Sequence, residues 1–209
     1  MNAGFLSWIL ILVTFILLAS GWKTFLLRGV SDRAILTFFA AWCVAGRFDV
    51  FMGKGWAVNG VIVPLLILIG AALRRQRSFL GGLHGLSFGL FLASVYYLLK
   101  HMGDIDPFFL PSRVTFGAAL ILALLAAILV RRPADQIACL SFALLCGSAL
   151  YGYVHKGQAA MPFAGLPFQD EWWLAVGSAR LMSSAAETVV GSVREVSKSL
   201  ADRWRETRK

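Results

Sequence analysis

The sequence predicts an all-α membrane protein: a polytopic bundle of six transmembrane helices, followed by a C-terminal amphipathic helix that lies in the interface or forms a seventh span. Three observations predict this class, namely high hydrophobicity, long runs without charge, and basic residues clustered between those runs. Hydrophobic residues make up 58% of the 209 residues, charged residues make up 15%, and the mean hydropathy is +0.73. A water-soluble fold would not bury that much apolar surface, since soluble domains carry about 25% charged residues.

Five stretches of at least seventeen residues contain no Asp, Glu, Lys or Arg. They are residues 3–22, 57–73, 78–99, 114–130 and 136–154. A helix rises 1.5 Å per residue and the apolar slab is about 30 Å thick, so roughly 17 to 25 such residues cross it. The runs are continuous rather than alternating, which excludes the strands of an outer-membrane barrel. A sixth crossing is predicted at 34–46, extended to Val50, which places Arg47 and Asp49 near the outer interface.

The basic residues predict the orientation of the bundle. The loops after the first, third and fifth of the six predicted crossings hold eight Lys or Arg, whereas the alternate loops hold four. By the positive-inside bias, the N-terminus is outside and the Arg-rich turns at 74–77 and 131–132 are cytoplasmic. Topology therefore explains the net charge of +9, and no nucleic-acid partner is predicted. The expected partner is the lipid bilayer, with another membrane protein or a second copy of the chain as further candidates.

Composition divides the chain into three predicted parts. Residues 1–154 are expected to form the six-helix transmembrane domain, 155–171 an outer loop rich in Pro and Gly, and 172–209 a basic amphipathic helical tail. Two arrangements of the tail stay open. If the tail lies in the interface after six crossings, its many Lys and Arg residues remain outside the cell, which contradicts the positive-inside bias. A seventh crossing at about 172–190 restores the rule but buries Arg180 and Glu187, at roughly 2.5 to 3.5 kcal/mol for each central charge unless the two pair.

Small residues predict one close helix contact. In the fourth span they recur every four residues, at Gly81, Gly85, Gly89 and Ala93. In the fifth span they recur at Thr115, Ala119, Ala123 and Ala127. Small side chains let helix backbones approach closely in lipid, so the two rows are predicted to face each other. Plain packing is the favoured interpretation over a sliding gate.

Chemistry-bearing residues form two candidate groups. His84 lies beside the glycine row, where it either bonds a neighbouring helix or acts as a proton relay or metal ligand. A second group converges on the outer surface by topology: Arg47, Asp49, His101, Asp104, Asp106, His155, Asp170 and Glu171. Carboxylates with imidazoles are able to bind a metal ion or act as acid and base. No HExxH spacing, Walker loop or nucleophile elbow accompanies them, so no catalytic residue, metal or cofactor is assigned.

Three local strings carry a family resemblance. They are Gly21-Trp22-Lys23, the turn from Arg131 to Gln136, and the Trp172-Trp173 helix with Ala179-Arg180. In these strings the chain resembles the YphA family, small multi-pass membrane proteins of spore-forming Firmicutes, and the resemblance covers most of the chain. It implies a location in the bacterial plasma membrane. It implies no particular activity and offers no catalytic residues.

Three functional hypotheses follow. The first is a non-enzymatic integral membrane protein that acts as a scaffold or accessory subunit through its tail or glycine row. The second is a small transporter or channel for an apolar or neutral solute, with Pro64, His84 and Tyr151 near its pathway. The third is a membrane-embedded enzyme that acts on lipid at the outer polar group.

Overall fold

A computed structural model describes residues 2–51, 57–76, 79–105, 115–155 and 162–206. The helices are α1 (Phe5–Leu17), α2 (Lys23–Leu26), α3 (Asp32–Ala45), α4 (Ile62–Arg75), α5 (Phe79–Ile105), α6 (Thr115–Leu129), α7 (Pro133–Val154) and α8 (Leu166–Glu206). Between α3 and α4, the short strands β1 (Asp49–Phe51) and β2 (Ala57–Asn59) pair antiparallel. Within the described ranges, Phe5–Leu26, Gly81–Ile105 and Pro133–Val154 are long and apolar enough to cross a membrane.

The first helix is kinked where the Gly-Trp-Lys string lies. A π-helical turn, Leu18–Trp22, joins α1 to α2, and Gly21 within it has φ +88°. Glycine adopts this left-handed conformation without the steric penalty that a Cβ would bring. The string therefore marks a kink between two helical segments of the apolar stretch Phe5–Leu26.

Helix starts follow ordinary capping chemistry. The Ser31 hydroxyl accepts a hydrogen bond from the Ala34 amide at 3.3 Å and begins α3. Pro133 occupies the first position of α7, where its fixed φ suits a helix. Pro64 lies in the first turn of α4, where the missing N–H leaves no helical hydrogen bond unmade. Pro64 thus starts α4 and does not break it.

The glycine row of α5 faces α7. A Cβ on Gly89 would lie 2.6 Å from Cδ1 of Phe142, and the Cys139 thiol contacts the Gly85 carbonyl at 3.9 Å. A Cβ on Gly85 would meet nothing within 4 Å, so Gly89 is the tighter position.

The row on α6 lies elsewhere. Ala119 and Ala123 are fully buried, Ala127 is half-buried, and α6 packs mainly against α8. This differs from the predicted pairing of the two rows. Small residues specify a close approach, but they do not specify which helix approaches.

Helix α8 enters the bundle with its first half and leaves it with its second. It starts six residues before the predicted tail, packs against α1, α6 and α7, and buries Trp172, Ala175 and Ala179 almost completely. Residues 185–194 are exposed. Residues 166–184 are therefore packed in the helical bundle, whereas the sequence divided them between an outer loop and a tail. The 41 residues extend about 60 Å, twice the thickness of the apolar slab.

The outside of the bundle is apolar. Leu12, Ile67 and Ile128 are 60%, 66% and 67% exposed, and many other large apolar side chains share these faces. Soluble monomers rarely expose contiguous apolar surface on this scale. Such faces suit contact with acyl chains, where the helices satisfy their own backbone hydrogen bonds.

Candidate functional sites

The N-terminal end of the buried part of α8 carries two buried acids. Glu171, 3% exposed, accepts a hydrogen bond from the Tyr96 hydroxyl and pairs with the Lys100 ammonium, both on α5. Asp170 accepts from the amides of Gly4 at 2.7 Å and Ser7 at 2.6 Å. Its carboxylate therefore caps the N-terminus of α1, whereas the sequence placed both acids in the polar group at the outer surface. Asp170 lies within α8, since that helix already begins at Leu166.

The C-terminal end of this buried part carries a buried cation, Arg180, which is 3% exposed. Its Nε donates to the Leu26 carbonyl at 2.7 Å and its Nη1 donates to Oε1 of Gln136 at 2.8 Å. The Gln136 amide in turn donates to the Ser183 hydroxyl at 2.8 Å. Nη2 of Arg180 has no hydrogen-bond partner among the described residues. Both acceptors are neutral, and none of the described carboxylates lies within ion-pair distance of the guanidinium, although the exposed Glu187 on the same helix acts on it electrostatically.

Arg180 lines a large cavity between α1, α3, α4 and α8. The cavity has a volume of about 570 Å³, and Arg75 and Arg180 are the only charged residues in its lining within the described part of the chain. Arg75 is exposed and donates to the Gly29 carbonyl at 2.9 Å. The other lining residues are mostly aliphatic and aromatic, and they include Pro64 and Gly177.

Aromatic rings bridge α3 and α8 beside this cavity. Trp42 and Trp172 have ring centroids 4.6 Å apart, and Phe39 and Trp173 have centroids 5.5 Å apart. Phe38 packs on Trp172 at 5.7 Å. These contacts join the two helices through large side chains, and Phe38, Phe39, Trp172 and Trp173 form part of the cavity wall.

The C-terminal ends of α5 and α7 bring part of the predicted polar group together. His101, Asp104 and His155 each offer a ligand atom, and these atoms lie within 4.8 Å of one another. The Tyr151 hydroxyl donates to Asp104 at 2.7 Å. Sequence reasoning had placed Tyr151 near a solute pathway with Pro64, but the structure places it in this cluster.

The remaining predicted polar residues lie elsewhere. Asp49 accepts from the Asn59 side chain at 2.8 Å in the hairpin, and Arg47 is exposed just before it. His84, expected to be buried within a span, is exposed on α5. Asp106 lies outside the described residues.

The family comparison covers almost the whole chain. The sequence profile of YphA-like integral membrane proteins matches residues 4–206. The chain belongs to this family. The match confirms the resemblance seen in the sequence and the assignment to integral membrane proteins. No curated protein and no solved structure matches this family member significantly.

Proposed function

We propose that this protein binds an anionic amphiphile, a lipid-like molecule with an acidic head and an apolar tail, without acting as an enzyme. The site is the cavity between α1, α3, α4 and α8. The observation that carries the proposal is the Arg180 guanidinium, which lines an apolar cavity and has one N–H group without a described acceptor.

The size and lining of the cavity support an apolar tail. At about 570 Å³ it falls within the 300 to 1,000 Å³ typical of ligand pockets. An apolar cavity of about 150 Å³ already binds benzene. From Arg180 to Trp172, α8 offers about 12 Å of wall, since eight residues rise 1.5 Å each. A ligand that is mostly hydrocarbon would fill this space without leaving its own polar groups unpaired.

The charge of the site supports an acidic head. A buried cation in a medium of low dielectric constant is unfavourable unless an opposite charge and hydrogen bonds satisfy it. Nη2 of Arg180 is buried, so a shift of this side chain toward the cavity would let a carboxylate or phosphate oxygen accept from it and supply both. Arg75 adds a second positive charge to the lining, so the cavity disfavours cations.

The helix directions support a location for the acidic head of the ligand on one side of the membrane. Helices α1 and α8 run in the same direction, because Asp170 contacts the start of α1 and Arg180 contacts Leu26 beyond its end. Together with the positive-inside bias, this supports a crossing by the first half of α8, with the N-terminus outside and the basic turns and C-terminus in the cytoplasm. In a bacterial plasma membrane, Arg180 would then bind the acidic head of an amphiphile from the inner leaflet. Reporter fusions after residue 206 test this, and an outside C-terminus would reject it.

The binding test compares thermal stability in mild detergent with added amphiphiles. The probes are dioleoyl phosphatidylglycerol, sodium oleate, dioleoyl phosphatidylcholine and inorganic phosphate. We expect an acidic probe with a tail to raise Tm, and phosphatidylcholine and phosphate to have little effect. Comparison of phosphatidylglycerol with oleate identifies the head as phosphate or carboxylate.

Two variants with matched controls locate the binding. Arg180→Met should abolish the Tm rise, whereas Arg194→Met, an exposed Arg on the same helix, should keep it. Gly177→Leu should fill the cavity, because a Cβ at Gly177 meets nothing within 4 Å. Gly191→Leu is equally unobstructed and lies outside the cavity. An equal Tm rise in Gly177→Leu and Gly191→Leu would reject this cavity as the binding site.

A scaffold role is a second candidate, favoured by one observation. Residues 185–194 of α8 are exposed and follow the part of the helix that packs in the bundle. Truncation after residue 184 should abolish capture of a membrane partner by the solubilised protein if this segment docks one. A truncated chain that still captures the same partner would remove this candidate.

A further inference from the structure

We infer that His101, Asp104 and His155 form a binding site for a divalent transition-metal ion of the zinc class at the outer ends of α5 and α7. This site is separate from the cavity at Arg180 and does not depend on the amphiphile. The sequence alone did not assign a metal, because its three ligands are distributed over two helices.

Helix packing brings the three residues together. Helices α5 and α7 run in parallel and stay in register, since Gly85 contacts Cys139, Gly89 faces Phe142 and Tyr96 lies against Gly147. The same register carries His101 and Asp104, one turn apart on α5, to His155 at the end of α7. The rigid pairing of two long helices therefore fixes the cluster.

The distances suit a shared ion. Nε2 of His155 and an oxygen of Asp104 lie 3.8 Å apart, which is too long for a hydrogen bond. All three ligand atoms lie within 4.8 Å of one another. Ligands about 2.0 to 2.2 Å from one zinc ion are about 3 to 4.4 Å apart, so small side-chain adjustments close the site.

Neighbouring groups orient the ligands as in known metal sites. The carbonyl of Tyr151 lies 3.0 Å from Nδ1 of His155, so Nδ1 carries the proton and Nε2 presents a lone pair to Asp104. The Tyr151 hydroxyl holds the Asp104 carboxylate at 2.7 Å, and its ring stacks on His155 with centroids 4.3 Å apart. Tyr97 stacks on His101. Nδ1 of His101 is buried and has no hydrogen-bond partner in the described part of the chain.

The donor set indicates the class of metal. Two imidazole nitrogens and one carboxylate oxygen suit zinc, iron(II), cobalt and nickel better than magnesium or calcium, which prefer oxygen ligands alone. Three protein ligands leave an open position, as in catalytic rather than structural zinc sites. The site is thus able to bind an external water or substrate group at the outer surface.

The test is a metal titration of the full-length protein in detergent, without a polyhistidine tag and after treatment with chelator. We expect one equivalent of Zn²⁺ to bind and raise Tm, and Co²⁺ to give the absorption bands of a low-coordinate site. His155→Ala and Asp104→Asn should each weaken Zn²⁺ binding at least 100-fold. Tyr151→Phe, which removes only an orienting hydroxyl, should weaken it about 10- to 100-fold.

The third histidine provides the matched control. His84 lies on α5 outside the cluster, so His84→Ala should bind Zn²⁺ as tightly as the unaltered chain. Asp104→Asn keeps the shape of the side chain and an acceptor for Tyr151, so it tests the site even if His155→Ala misfolds. Binding of less than one equivalent by the unaltered protein, or equal affinity in Asp104→Asn, would overturn the inference.

Discussion

The two ends of the buried part of α8 carry opposite charges and differ in how completely the protein satisfies them. At the N-terminal end, Asp170 and Glu171 receive donors from α1 and α5, including the cationic Lys100. At the C-terminal end, Arg180 donates only to neutral acceptors and keeps one N–H group without a described partner. The two acids therefore join helices to one another. The guanidinium is satisfied less completely, which is the basis of the ligand proposal.

Loss of the Glu171–Lys100 ion pair is expected to lower stability the most. Glu171→Ala would leave the Lys100 ammonium and the Tyr96 hydroxyl without their acceptor in a buried setting. Breaking a buried pair from one side costs about 3 to 5 kcal/mol, and we expect the lower end because Lys100 is partly exposed. Denaturant unfolding in detergent measures this loss.

The matched control removes both charges together. Glu171→Leu combined with Lys100→Met leaves no uncompensated charge, so it should recover most of the stability that Glu171→Ala loses. If the Glu171→Ala protein is as stable as the unaltered chain, the acids do not stabilise helix packing more than Arg180 does, and the difference between the two ends is wrong.

Loss of the Asp170 cap on α1 is expected to give the second largest loss of stability. Asp170→Ala removes the acceptor for the Gly4 and Ser7 amides, and we expect a loss of about 2 kcal/mol, the upper end for a helix cap. Asp170→Asn retains an oxygen and should lose less. Hydrogen exchange at the Gly4 and Ser7 amides reports the cap directly and should accelerate most in Asp170→Ala. Exchange that stays slow there would show that α1 does not need this carboxylate.

The start of α8 shows why the sequence could not predict these contacts. Residues 162–171 contain two Pro and two acids, a composition typical of a loop. Pro167 nevertheless falls in the first helical turn, where proline is tolerated. The partners of Asp170 and Glu171 lie 71 to 166 residues away along the chain, so no local pattern pairs them.

The predicted topology anticipated the cluster at His101 better than the cavity at Arg180. In the six-crossing prediction, His101, Asp104 and His155 share one side of the membrane, so the sequence groups them without setting their distances. Gln136 and Arg180 gave no comparable signal, because one is a neutral residue near a helix start and the other lies on a helix of uncertain location. The cavity depends on side chains from four helices, which hydrophobic patterns place in the bundle without specifying their packing.

The smallest effect is expected at Arg180 in detergent free of anionic lipid. Arg180→Met replaces an incompletely paired cation with an apolar chain of similar length, a change that is often neutral or stabilising. The Leu26 carbonyl and the Gln136 side chain lose one donor each, although Gln136 keeps its bond to Ser183. We therefore expect a net change below about 1 kcal/mol.

This small effect sets Arg180 apart from Glu171 under the same conditions. Arg180→Lys is the informative second variant, since it keeps the charge but loses the planar set of donors. It should be less stable than Arg180→Met without lipid and should recover when an acidic amphiphile is added. If Arg180→Met instead lowers the free energy of unfolding as much as Glu171→Ala does, the Arg180 guanidinium also holds helices together. Its role would then be structural, and it would not be the group that binds an acidic head.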